Sequence, residues 1–293
     1  MKKNIQSLIN KQFIVAAQNN LLDEIKNLLD QGANISYRDN YALKIAADNG
    51  HLEIIKFLIT QGANVNANND EALMYSATNG HLEIVKFLVT QGANVRAADN
   101  NALELSSYHG HFEIVKFLIE NGANIHANND DALRWSGKNG HLEIVKFLIT
   151  QGANIHADND VVLRLASIHG HLEIVKFLID RGGDIHANDD EALRWSAAHG
   201  QLKIVKYLLT QGANIHANDD EALKDSALRG HNDVWQVLAA FIQEEKLLVA
   251  ASVSTGASSW VCGTEATSGS TGMPEKLVNG IDIKKIKKPL LKI

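Results

Sequence analysis

Apolar residues along most of this chain fall in two short bursts per unit, each at helical spacing and each closed by a glycine. In the stretch 69–94, Leu73, Ser76 and Ala77 gather on one side of a short helix predicted over 71–78. Asp70 stands where its carboxylate could cap that helix, and Gly80 suits the left-handed residue that ends it. A second helix is predicted over 81–90, with Ile84, Val85, Leu88 and Val89 as its apolar stripe and Glu83 and Lys86 facing water. Gly92 stops it, and residues 93–99 return the chain to the next unit.

This pattern repeats every thirty residues. Gly50, Gly80, Gly110, Gly140, Gly170, Gly200 and Gly230 form one series without slippage. Gly32, Gly62, Gly92, Gly122, Gly152, Gly182 and Gly212 form a second. Two antiparallel helices and a return cannot bury their own apolar faces, so neighbouring units must stack into a solenoid. The fold class expected is therefore all-α, a helical repeat solenoid with a C-terminal tail.

Three segments follow. Residues 1–10 read as an N-terminal lead. Residues 11–250 read as the array, with units starting near 41, 71, 101, 131, 161, 191 and 221. An earlier copy over 13–31 carries Asn20 for glycine, Leu21 for histidine and Asn27 for phenylalanine, polar changes that suit a terminal cap. In the last copy His231 and Val234 keep the pattern, and a prolonged closing helix is expected over 241–249. Residues 251–293 read as a Ser/Thr/Gly-rich flexible linker over 252–272, followed by a basic end.

Projected at 100° per residue, the first helix places positions 71, 74, 75 and 78 opposite its packing side. Variation between units falls on that side, as expected where recognition rather than stacking sets the residue. The last of these positions reads Asp48, Thr78, Tyr108, Lys138, Ile168, Ala198 and Leu228. Candidate partner-binding residues are Thr78, Tyr108, Arg134, Trp135, Lys138, Arg164, Ile168, Arg194 and Trp195. Arg and Trp weigh most because they bury much area while keeping a polar handle. The competing reading is a merely solvated face with the indoles padding the seam between helices.

Composition narrows the partner. A formal charge of −6 disfavours nucleic acid and anionic membrane as partners. One cysteine, Cys262, excludes a disulfide framework and points to a reducing, cytoplasmic compartment. No signal-peptide pattern opens the chain and no uncharged apolar run reaches membrane-spanning length. The run Lys284, Lys285, Lys287 and Lys288 carries a weak signal for nuclear import.

Thirteen histidines raise the question of metal binding. Most recur at fixed points of successive units, which would stand about 10 Å apart, whereas shared ligation needs about 2 Å from each nitrogen. Bonding to loop backbone is the expectation, with no metal and no cofactor. HExxH, GxSxG and phosphate-loop motifs are absent, and Cys262 has no positioned base, so no enzyme is expected.

The helix Gly-His-Leu-Glu-Ile-Val-Lys-Phe-Leu with its Gly-Ala-Asn-Ile exit resembles the second helix of ankyrin repeats. The Thr-Pro-Leu-His opening of that family is replaced by Glu71-Ala72-Leu73 or Asp131-Ala132-Leu133. Against a period of about 33, the return is shortened, so the family's projecting hairpins should be stubby. Residues 189–196, with Asp189-Asp190-Glu191-Ala192-Leu193-Arg194-Trp195-Ser196, resemble the ankyrin proteins of giant amoeba-infecting viruses. The resemblance implies a non-catalytic adaptor that holds a host protein on a concave first-helix face. As an alternative, Met273-Pro274-Glu275-Lys276-Leu277 faintly resembles the opening of an F-box, which implies a recruiting subunit of a ubiquitin ligase.

Overall fold

The structure, a computed structural model, describes residues 2–254. The expected tail linker, Cys262, the F-box-like stretch and the lysine run lie outside the described residues. Among the described residues every regular element is a helix and none is a strand. A unit is a first helix such as Asp131–Lys138 or Val161–Ile168, then a second such as Leu82–Thr90 or Leu142–Thr150. The first helices pack on one another more closely than the second helices do. The array therefore curves with its first helices on the inside.

One apolar core runs through all units, from Phe13 to Ile242. Ile84, Val85 and Leu88 are buried in it, while Val89 is only partly covered, so the stripe is narrower than its sequence suggests. Each fully buried side chain of this size contributes about 1.5–3 kcal/mol. Ser76 is also fully buried, its hydroxyl donating to the Leu73 carbonyl at 2.9 Å, which removes the penalty of a polar group inside.

The return between units is a left-handed turn. Asn68, Asn69 and Asp70 all have positive φ, as do the equivalent three residues of every later unit. Asn and Asp tolerate this region best among residues with a Cβ, and they fill nearly all these positions. Arg38 and Ala98 are the exceptions. Three such residues turn the chain sharply enough to replace a hairpin, which accounts for the short repeat.

Asp70 does not cap its own helix. Its Oδ1 instead accepts the backbone N–H of Asn94 at 2.9 Å, and the Asn66 side-chain amide at 2.8 Å. A left-handed residue cannot aim its carboxylate back along the helix it precedes, but it can aim it at the neighbouring unit's return. The same link joins Asn40 to Asn64, Asn100 to Asn124, Asp130 to Asn154, Asp160 to Asp184 and Asp190 to Asn214. All of these acceptors are buried. In later units His126, His156 and His186 take the place of Asn66 and turn Nδ1 toward the same carboxylates at 3.0–3.1 Å.

The link reaches into the N-terminal lead. The opening helix runs Lys2–Gln18, and Asn10 accepts the N–H of Asn34 while Gln6 donates to Asn10 and to the Gly32 carbonyl. Residues 6 and 10 thus do for the first unit what 66 and 70 do for the third. At the other end the closing helix runs Asn232–Ser254, so the boundary expected at 250 falls inside it.

Two predictions follow from this geometry. Asp130→Ala, which strands the Asn154 N–H, should cost about 1–3 kcal/mol in urea unfolding, whereas Asp130→Asn, the residue found at 40 and 100, should retain most of the link. Ala98→Asn should raise stability by about 1 kcal/mol in the same measurement, because the exposed Ala98 holds a left-handed conformation at φ 47°.

Candidate protein-binding face

The second helices bind the first ones through their leading histidines. His111 donates from Nε2 to the Thr78 carbonyl at 2.9 Å, one unit back, and His81, His141, His171 and His231 do the same to Asp48, Tyr108, Lys138 and Ala198. Gln201 serves in the one internal unit that lacks the histidine, donating to Ile168 at 2.9 Å. The ring also roofs a glycine: a Cβ on Gly80 would sit 2.7 Å from the His111 ring. The leading histidines thus bond backbone as expected, whereas the rings of the second series, His126, His156, His186 and His216, turn to the carboxylates of Asp130, Asp160, Asp190 and Asp220 instead. Among the described residues no group of three or more His, Cys, Asp or Glu stands close enough to hold a metal ion.

Among the carbonyls used in this way, those of Thr78, Tyr108 and Lys138 take a histidine ring and that of Ile168 takes the Gln201 amide, and all four are candidate residues. At this position the backbone makes the seam and the side chain is left over. That is the physical reason it varies freely.

The arginines are placed differently. Arg164 Nη1 donates to Glu191 Oε2 at 2.5 Å, and Arg194 pairs in the same way with Glu221, each partner lying 27 residues on in the next first helix. Lys44 and Glu71 make the equivalent pair at 3.6 Å. These cations are clamped across the seam and only partly exposed. Burial opposes ionisation of Glu191, but the Arg164 hydrogen bond and charge outweigh it and hold its pKa below the ordinary value. The Glu221 pKa is also lowered, by the Asn218 hydrogen bond first and then, against burial, by Arg194.

The rung between 104 and 131 breaks the series, since it sets Glu104 opposite Asp131. Burial raises both pKa values; the Asp131 charge adds to it at Glu104, and Arg134 opposes it at Asp131. Arg134 meets Val161 rather than an acid in the next unit, so it turns back to Asp131 at 2.7 Å. There it lies 4.9 Å from the Trp135 ring centre, with Lys138 Nζ at 4.7 Å. Tyr108 meets Trp135 edge-on at 5.5 Å. Trp195 donates from Nε1 to Glu191 Oε1 at 2.9 Å and tilts over His199.

The indoles belong to a longer feature that the candidate set only sampled. From the unit at 41 to the unit at 191, position 75 and its equivalents read Ile45, Tyr75, Leu105, Trp135, Leu165 and Trp195, all apolar or aromatic and at least partly exposed, and only the last unit departs, with Asp225. Side by side on the inner curve they make a continuous apolar ribbon, edged by the ion-pair ladder on one side and by the variable residues on the other. Tyr108 and Trp195 are the most open of the aromatics on it, at 39% and 36%. Glu191 and Glu221 are legible in the sequence where positions 74 and 71 oppose each other at an offset of 27, and Leu105 and Leu165 where position 75 is followed from unit to unit.

The model for "Ankyrin repeats (3 copies)" matches residues 13–99, 95–159, 133–219 and 163–246, which together span most of the chain. The chain belongs to the ankyrin repeat family. Comparison with curated proteins returned no match. Ankyrin repeats are protein-binding modules, generally without catalysis, and the face on the inner curve of this ankyrin array has the exposed apolar character such binding uses. No helix among the described residues is long and apolar enough to cross a membrane.

The sign of the pH dependence follows from the ladder. Glu191 and Glu221 have lowered folded pKa values, so their contribution is present above the ordinary carboxylate range and is lost as pH falls through the lowered values. Glu104 and Asp131 have raised values and penalise the fold at neutral pH. Glu104→Gln should therefore stabilise at pH 7 by less than about 1 kcal/mol, the gain fading as pH falls through the raised pKa. Arg164→Ala should destabilise at pH 7, with a gap to wild type that narrows in acid. Urea midpoints across that pH range check both.

Proposed function

We propose that this ankyrin array is a non-catalytic scaffold that captures another protein on the ribbon at positions 75 and 78, chiefly between Tyr108 and Trp195. The observation that supports it most is the apolar ribbon: six successive units keep an apolar or aromatic residue at a partly exposed position, of which Ile45 also packs against the core. Aromatic side chains on such a surface supply large contact area with little entropy to lose. The role given to charge is smaller than residue type alone suggests, because Arg164 and Arg194 already pair with Glu191 and Glu221. Thr78, Lys138 and Ile168 tune the choice of partner from the edge of the ribbon.

The likeness of residues 189–196 to giant-virus ankyrin proteins supports a host-cell protein as that partner and an adaptor role in the cytoplasm. The test is affinity capture from amoebal lysate by the full chain, beside Tyr108→Ser/Trp135→Ser/Trp195→Ser and Arg164→Ala/Arg194→Ala variants. A protein whose capture falls at least about tenfold with the aromatic variant, and less with the arginine variant once folding is matched by circular dichroism, is the expected result. Capture unchanged by the aromatic variant sinks the ribbon as the binding face.

A further inference from the structure

The two ends of the array show which side of a unit faces its successor. Ile25 occupies the position of Val85 and is fully buried although no unit precedes it; Trp235 occupies the same position in the last unit and is 41% exposed. That position therefore faces forward. Ala17 and Ala227, buried and exposed in turn, mark a second forward-facing position. The backward-facing positions behave in the opposite way: Glu24 and Gln12 are exposed in the first unit, while Val234 and Ala222 are buried in the last.

The ends are thus unlike. The N-terminal end is finished with Gln12 and Glu24, polar where internal units carry Ala and Ile. The C-terminal end carries Trp235 and Ala227, with Leu228 beside them at 84% exposure. Its glycine seat is also open. A Cβ on Gly50, Gly80, Gly110, Gly140, Gly170 or Gly200 would meet the next unit's side chain at 2.5–2.8 Å, yet a Cβ on Gly230 would meet nothing within 4 Å among the described residues. Among the described residues the prolonged closing helix does not cover this end: Phe241 and Ile242 enter the core, and Glu245 reaches His216 on the last return.

We infer that this end docks against the same end of a second copy, giving a two-fold dimer. The apolar centre is Trp235, Ala227 and Leu228. Around it stand two cations, Lys224 and Arg229, and two acids, Asp225 and Asp233, so a copy rotated by half a turn can set each cation against an acid. Lys224 occupies the ladder position of Arg194 but has no following unit to supply its acid. Head-to-tail stacking fails on the same grounds, because it would bury Glu24 against Trp235 without a partner.

Sedimentation velocity on the full chain from about 1 to 200 µM, the range where small specific interfaces assemble, tests this. The expected result is a shift from 32.0 kDa toward twice that mass, 64.0 kDa, with rising concentration. Leu228→Lys and Trp235→Ser, both at exposed sites, should each weaken association at least tenfold while circular dichroism stays unchanged. A 32.0 kDa species at every concentration, or a dimer that survives both substitutions, overturns it.

Discussion

The array depends on one hydrogen bond made over and over. A buried Asn or Asp, held in a left-handed turn, accepts the backbone N–H of the next unit's return 24 residues later. Leaving such an N–H unpaired in a closed seam costs more than the bond itself supplies, so the link enforces register as well as strength. Its acceptor must be short enough to fit the turn and tolerant of positive φ, and only Asn and Asp satisfy both. This one requirement fixes the composition of the returns and removes the room a hairpin would need.

A second link, from each leading histidine back to a carbonyl 33 residues earlier, explains how one helix can both build the solenoid and vary. The seam uses the backbone of position 78 and the ion pairs of positions 74 and 71. Side chains at 75 and 78 are released from structural duty, and the apolar ribbon with its variable edge occupies the surface that this release creates. The broken rung at Glu104 and Asp131 sits beside Trp135 and Tyr108, so the least satisfied part of the ladder adjoins the most aromatic part of the ribbon.

The ends obey the same rules with one side missing. Substituting Gln12 and Glu24 for Ala and Ile solves the problem of an uncovered backward face. No such change is made on the forward face of the last unit, where an indole stands in place of valine.

Sequence alone determined the period, the paired helices, the glycine stops and the family, because each is written at separations of three, four or thirty residues. It also set positions 71, 74, 75 and 78 apart from the packing side, although 71 and 74 pair across the seam in several units. What it could not decide were the partners of polar residues. Asp70 looks like a local cap, Arg164 and Arg194 look free, and residues 1–10 look like a lead outside the array. Each is settled by contacts 24, 26 or 27 residues away, and those separations become neighbours only after the units have stacked.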